Sequence, residues 1–450
     1  MHSSDPSYPK PDPAPTMRRD FLKSCALAGL GLTAPTTMLS AIDKQQELPP
    51  YEGPYYLVFN ASGGWDTSYL MDPKGTDRIN RLYTSEQILS HGNHRFAPTS
   101  DHKQDGLSNE DFYAEFGSEI LVLNGLDYSV NNHSPCSRYM ATGKLDSLAY
   151  PTFAALVAAC QGASCPLSFL TFGNYSATGN LVAKARVPYL PSLIRIANAD
   201  SIEGNPKSPY HDKFALDRIE QMLHQQHTDR TAQPQLPRRQ RTESMLYAAQ
   251  LNSKALQRIT PHIPKKIPKA RLAQQAEIAL ASFKAGVCVS ANLSIGQFDS
   301  HANNDTDQMR LIPEFLDGIA YTLHRAEELN IREKVVVIAQ SEMGRTPDYN
   351  QGNGKDHWSI GSIMFLGPGI QGNRVIGATN EQQFALPLNP KTLQTGVGDG
   401  IRVRPEHIHQ ALRQLAGISD HEYSQQFPLG LKTPEMLTNL WMSPAKSYSE

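Results

Sequence analysis

Six short runs of nearly unbroken apolar character constrain the fold of this chain more than anything else in it: Tyr55 to Asn60, Ile120 to Asn124, Leu167 to Phe172, Val287 to Leu293, Val335 to Ala339 and Ile360 to Leu366. Each is rich in Val, Ile, Leu and Phe and ends in a polar or glycine-rich turn. A strand that is apolar on both faces belongs inside a sheet covered on both sides, the habit of parallel strands. Helical patterns fall between the runs, at Phe153 to Ala159, Ala270 to Ala285 and Ile312 to Asn330. A further one, His407 to Ala416, has Pro405 before it and Gly417 after it, which is ordinary helix punctuation. The alternation predicts an α/β layered fold with a mostly parallel central sheet. Ligands of such sheets bind beyond the C-terminal ends of the strands.

The ends and the middle of the chain read differently. A Pro- and Ser-rich leader runs into Met17-Arg18-Arg19-Asp20-Phe21-Leu22-Lys23, followed by an apolar stretch from Ser24 to Leu39. Charged, apolar and small-residue regions in that order resemble a twin-arginine export signal over residues 1–41, removed near Ala41. The expected partner is the twin-arginine export machinery and the expected location periplasmic or secreted, with residues 42–450 as the mature domain. The apolar stretch is too short and too weakly hydrophobic for a stable membrane span. From about Asp200 to Lys269 the chain turns to Gln, His, Arg and Lys broken by Pro234, Pro237, Pro261 and Pro264, which reads as a helical cap insertion. Its Arg238-Arg239-Gln240-Arg241 knot lacks interleaved aromatics and reads as a solvated helix face. With 42 basic and 44 acidic side chains no global field points to nucleic acid. Of five cysteines Cys25 lies in the leader, and no Cys-x-x-Cys pair occurs, which argues against a thiolate zinc site. Cys160 and Cys165 are near enough in sequence to close a small disulfide loop.

Chemistry collects where the apolar runs end. The first runs into Gly63-Gly64-Trp65-Asp66, where two glycines let the backbone turn sharply beside a carboxylate. An Asx-type turn or helix cap is the plainer role for that Asp. The run Val287 to Leu293 leads to Phe298-Asp299-Ser300-His301-Ala302-Asn303, and Val335 to Ala339 leads to Ser341-Glu342-Met343-Gly344-Arg345 and then Lys355-Asp356-His357. Mixed carboxylate and imidazole donors suit zinc or manganese better than calcium. Their shared placement predicts a metal site of Asp66, Asp299, His301, Glu342, Asp356 and His357.

Together these motifs resemble a widespread family of exported bacterial proteins of unassigned function, itself similar to the alkaline-phosphatase superfamily that includes arylsulfatases and cofactor-independent phosphomutases. The likeness runs from about Tyr55 to Gly417 and implies an alkaline-phosphatase-like three-layer sandwich. It implies one or two divalent ions, zinc first, with manganese, magnesium or calcium as alternatives. By order along the chain, Asp299, His301 and His357 would form one ion site and Asp66 with Glu342 the other, with Asp356 a ligand or an orienting group. Asn303 would stand where the superfamily has a further histidine.

The same resemblance puts a nucleophile in His133-Ser134-Pro135-Cys136-Ser137-Arg138, with Thr142-Gly143 following as in the sulfatase signature. Ser134 takes that position, and Arg138 and Arg345 become candidate clamps for an anionic group. The plain reading of the segment is a helix start with Ser134 as N-cap and Pro135 in the first turn. The implied function is a metal-dependent hydrolase of phosphate or sulfate esters, acting on a small molecule or a polysaccharide. Cys136 stands where the signature has Pro or Ala, and Ser341-Glu342 where an Asp-His pair is expected. A periplasmic binding or assembly protein that kept the fold and lost catalysis is therefore the alternative.

Overall fold

A computed structural model describes residues 50–163, 165–205, 207–231 and 255–442. The leader and the Arg238 to Arg241 knot lie outside the described residues. The strands are β1 (Tyr55–Ala61), β2 (Leu89–His91), β3 (His94–Phe96), β4 (Leu121–Asp127), β5 (Phe169–Thr171), β6 (Lys184–Ala185), β7 (Ser290–Ile295), β8 (Val335–Gln340), β9 (Gly344–Arg345), β10 (His357–Trp358), β11 (Ile360–Leu366) and β12 (Arg374–Ile376). Eight of them form one sheet in the order β12-β4-β11-β8-β1-β7-β5-β6. Neighbours pair in parallel except at β11, which runs antiparallel to both β4 and β8. The sheet is therefore mixed but mostly parallel, and five of the six apolar runs are parallel strands of it.

The α-helices are α1 (Asn109–Phe116), α2 (His133–Thr142), α3 (Phe153–Gly162), α4 (Leu190–Ala197), α5 (Lys213–Thr231), α6 (Arg271–Lys284), α7 (Asn304–Glu328), α8 (Pro405–Leu415) and α9 (Glu422–Gln425). The period-2 alternation of strand side chains divides the core into two. Tyr55, Leu57 and Phe59 of β1, with Val335 and Val337 of β8, pack into one cluster with apolar residues of α1, α6 and α7. Tyr56 and Val58, with Val336 and Ile338, pack into a second with residues of α2, α3 and α8. Three layers result, helices over sheet over helices. Both faces of β1 and β8 are buried, which is why those runs carry no polar alternation.

Some boundaries differ from the sequence reading. Helix α7 begins at Asn304, eight residues before the periodic pattern, because its first turns are polar and acidic and Pro313 interrupts the apolar rhythm inside it. Acidic Asp305 and Asp307 suit the positive end of the helix dipole there. Helix α2 begins at His133 with Asn132 as N-cap, so Ser134 is its second residue and not its cap. Cys160 and Cys165 are free thiols. The Cys165 thiol faces the Gly286 carbonyl at 3.9 Å, and Cys160 sits at the end of α3 against other neighbours. Within the cap insertion the described part includes α5 and a short 3-10 turn, Thr260–His262. No helix among the described residues is long and apolar enough to cross a membrane.

Candidate metal centre

The loops that carry the singled-out motifs meet at the C-terminal edge of the parallel strands. Gly63 and Gly64 follow β1 with φ of +122° and +99°, conformations that favour glycine. The glycines let the loop after β7 press close: an added Cβ on Gly63 would stand 2.4 Å from the Asp299 amide nitrogen. Asp299 and His301 come from that β7 loop, Glu342 follows β8, and Arg345 lies in β9. His357 lies in β10, paired antiparallel with β9 so that His357 stands opposite Arg345. Asp356 and His357 thus do not follow a strand. They precede β11, whose reversed direction brings its beginning to the edge where its neighbours end.

Asp299 is the hub. Its Oδ1 accepts from Arg345 Nη2 at 2.7 Å and lies 3.1 Å from His301 Nε2 and 3.2 Å from His357 Nε2. Its Oδ2 lies 3.3 Å from His133 Nε2, and the Nε2 atoms of His301 and His357 are 3.0 Å apart. Each ring is held from behind by an acceptor at Nδ1: the Asn131 carbonyl for His357 at 2.9 Å, Asp356 Oδ1 for His301 at 2.8 Å, and Glu342 Oε1 for His133 at 3.1 Å. An Nδ1–H donated backward leaves an Nε2 lone pair facing forward in the neutral ring. Lone pairs of this kind then face the Asp299 carboxylate, and a proton or a metal cation reconciles them, with His133, Asp299 and His357 forming the group close enough to share one ion.

The spacing tests the metal. Donor atoms on a common ion with arms of about 2.0 Å stand about 3.3 Å apart, and Asp299 lies 3.3 Å from His133 Nε2 through Oδ2 and 3.2 Å from His357 Nε2 through Oδ1. His133, Asp299 and His357 offer ligand atoms that all lie within 4.8 Å of one another. Their nitrogen and oxygen donors fit zinc or manganese. The centre is half open, with Asp299 41% and His301 47% exposed at the side chain, so a ligand can reach it.

These contacts also set the charge of the groups. Burial opposes the charge on Asp299, but the Arg345 hydrogen bond and charge, helped by His357 and His133, outweigh it and lower the carboxyl to about 2. The Glu342 hydrogen bond raises His133 above the ordinary imidazole range against the opposing effect of burial. Asp356 is held low, chiefly by its hydrogen bond from His301. Burial pushes the Cys136 thiol up to about 12, which removes it as a thiolate donor.

The other sequence-derived candidates divide. Glu342 is buried and accepts from the Gly63 amide at 2.8 Å as well as from His133, so it orients a ring from behind. Its Oε2 is buried with no partner. Asp66 does not join Glu342 in a second ion site: its carboxylate accepts from Ser68, Asn304 and the buried ammonium of Lys355. Arg345 is fully engaged, donating to the carbonyls of Gly63, Gly64 and Lys355 besides Asp299, and is no free clamp. Arg138 donates twice to the Leu145 carbonyl, at 2.9 and 2.6 Å. Ser134 is exposed, one residue beyond His133 on the first turn of α2. Asn303 is exposed in a left-handed conformation, and the adjacent Asn304 is the residue that reaches Asp66. His133 is the participant that the motif reading passed over, although it follows strand β4 as Asp299 follows β7 and Glu342 follows β8.

Fold and centre together define an α/β protein with a half-open, histidine-rich cluster of metal-ligand type on the carboxyl edge of its sheet. The chain belongs to the family described as "Protein of unknown function (DUF1501)", whose model matches residues 57–397. No curated protein matches it in sequence. Among solved structures it is similar to the PsFucS1 sulfatase from Pseudoalteromonas sp., at 11% identity over 92% of this chain and 74% of that one, with a TM-score of 0.36. It is also similar to the lipoteichoic acid synthase LtaP from Listeria monocytogenes, at 8% identity over 87% and 79% of the two chains, with a TM-score of 0.36. A third is Ps i-CgsB in complex with k-i-k-neocarrahexaose, at 8% identity over 84% and 74%, with a TM-score of 0.37.

Proposed function

We propose that this chain is an exported, metal-dependent hydrolase of phosphate or sulfate esters. The observation that carries the reading is the convergence of the His133, His301 and His357 Nε2 atoms on Asp299, each ring back-bonded by its own acceptor. A divalent ion bound there supplies Lewis-acid polarisation of an ester oxygen. The chain's own residues do the rest. Arg345 fixes Asp299, and Glu342, Asp356 and the Asn131 carbonyl fix the three rings. Ser134 is the assigned nucleophile, standing exposed beside His133. The first turn of α2 lacks a side-chain cap, so its amides favour an anionic group at the same place. Export follows from the resemblance of the leader to a twin-arginine signal, and the substrate is an anionic ester of a small molecule or polysaccharide.

One observation favours a second reading. Arg345 spends its guanidinium on three backbone carbonyls and Asp299, and Arg138 turns its Nε and Nη2 to the Leu145 carbonyl, so Arg345 has no donor to spare for an anion and Arg138 offers only its Nη1 side. A binding or assembly protein that retains the ion would need no such grip. The two are separated by supplying zinc- or manganese-loaded protein with p-nitrophenyl phosphate, bis(p-nitrophenyl) phosphate and p-nitrophenyl sulfate. The hydrolase reading expects turnover on at least one, lost by about 10³-fold or more in Ser134→Ala and in His357→Ala. Metal-loaded protein inert on all three establishes the second reading.

A further inference from the structure

Asp66 has no acceptor capacity to spare. Its Oδ1 takes the Ser68 amide at 3.1 Å and the Ser68 hydroxyl at 2.6 Å, and its Oδ2 takes Asn304 Nδ2 at 3.0 Å and Lys355 Nζ at 2.6 Å. Both members of the ion pair are shut off from water, with side-chain exposures of 0% for Lys355 and 1% for Asp66. The ammonium also lies over two aromatic faces, 5.6 Å from the Tyr69 ring centre and 5.2 Å from that of Tyr349. Its backbone is pinned as well: Lys355 N donates to the Ser300 carbonyl at 2.9 Å, and its carbonyl accepts from Arg345 Nη1 at 3.1 Å. A lysine is rarely buried without a reason of this kind, and this one sits two residues before His357.

We infer that the Lys355 ammonium is a built-in cation that takes the place of a second metal ion at Asp66. The centre at Asp299, His133, His301 and His357 then takes one divalent ion per chain. The inference rests on reading that centre as a metal site. It assigns Asp66 and Lys355 a positioning role: their pair ties the glycine turn after β1 to the arm that carries His357. A fixed ammonium does so at any metal concentration, which a second exchangeable ion would not.

Metal counting tests this without reference to activity. The full-length chain is dialysed to equilibrium against buffers of graded free zinc concentration and analysed for bound zinc by mass spectrometry against protein concentration. One zinc per chain is expected for wild type and for Lys355→Arg. In Lys355→Ala, checked for folding by circular dichroism, a second zinc is expected at about tenfold or weaker affinity, and it should vanish in Lys355→Ala/Asp66→Asn. Two ions in the wild type, or a folded Lys355→Ala with one, overturns the inference. If Lys355→Ala does not fold, the wild-type count decides alone: one supports the inference and two overturns it. No bound zinc in the wild type removes the inference along with the metal reading. One ion with no turnover on any ester leaves it standing while the hydrolase reading fails.

Discussion

Replacing Gly63 by Ala probes how tightly the site's loops are fitted to one another. A methyl group there faces two costs. The residue sits at φ +122°, where an L side chain is strained by roughly 1–2 kcal/mol. The new Cβ would also stand 2.4 Å from the Asp299 amide nitrogen and 2.8 and 2.9 Å from backbone atoms of Phe298, so the β7 loop has to move, at a cost of roughly 1–3 kcal/mol. The two together come to about 4 kcal/mol. Gly417, after α8, supplies the control: its φ is +65°, and nothing lies within 4 Å of an added Cβ. Gly417→Ala pays the conformational cost alone, about 1 kcal/mol. Urea denaturation followed by circular dichroism, with m checked for constancy, measures both. Gly63→Ala should be the less stable of the two by about 3 kcal/mol, and its zinc affinity should fall because Asp299 moves with the loop. Equal losses in the two variants would refute the close fit of the β1 and β7 loops.

Three further outcomes follow from the same geometry. Glu342→Gln keeps an acceptor for the Gly63 amide but weakens the hold on His133, so zinc affinity measured by competition with a chelator should fall by about 10–100-fold while the far-ultraviolet spectrum is unchanged. Arg345→Met strips hydrogen bonds from the buried carbonyls of Gly63, Gly64 and Lys355 and from Asp299, and should cost about 3–5 kcal/mol in urea denaturation. His409 is buried against the Met140 carbonyl, and burial lowers its pKa from 6.5 to about 4. The unfolded chain therefore takes up a proton that the native state refuses. Its contribution is intact above the unfolded pKa and is lost as pH falls from about 6.5 to about 4, reaching about 3 kcal/mol. His409→Gln should flatten that acid limb in stability measurements at pH 7 and pH 4.5.

The strands were readable because burial on both faces leaves a continuous apolar signature, as in Tyr55–Ala61 and Val335–Gln340. The direction of β11 was not readable, since an apolar run looks the same in either orientation. That direction decides why Asp356 and His357, which stand before a strand, reach the same edge as Asp299 and Glu342, which stand after strands. Asp299, His301 and His357 drew the sequence reading because their residue types mark them, and the structure places them beside one another. His133 was missed because its neighbour Ser134 drew the functional reading. Lys355 was missed because a lysine is ordinarily placed on the surface, and its partner Asp66 lies 289 residues away in sequence. The engagement of Arg138 and Arg345 with backbone carbonyls is likewise a product of tertiary packing, which no local pattern records.

The central claim is that one divalent ion is held at Asp299 by the imidazoles of His133 and His357, with His301 beside them. X-ray absorption at the zinc edge of the zinc-loaded protein tests it most directly. The account predicts a shell of nitrogen and oxygen neighbours at about 2.0–2.1 Å with the outer-ring scattering of at least two histidines, and none of it in His133→Ala/His357→Ala. A shell containing sulfur at about 2.3 Å, or one of oxygen alone without imidazole scattering, would contradict it.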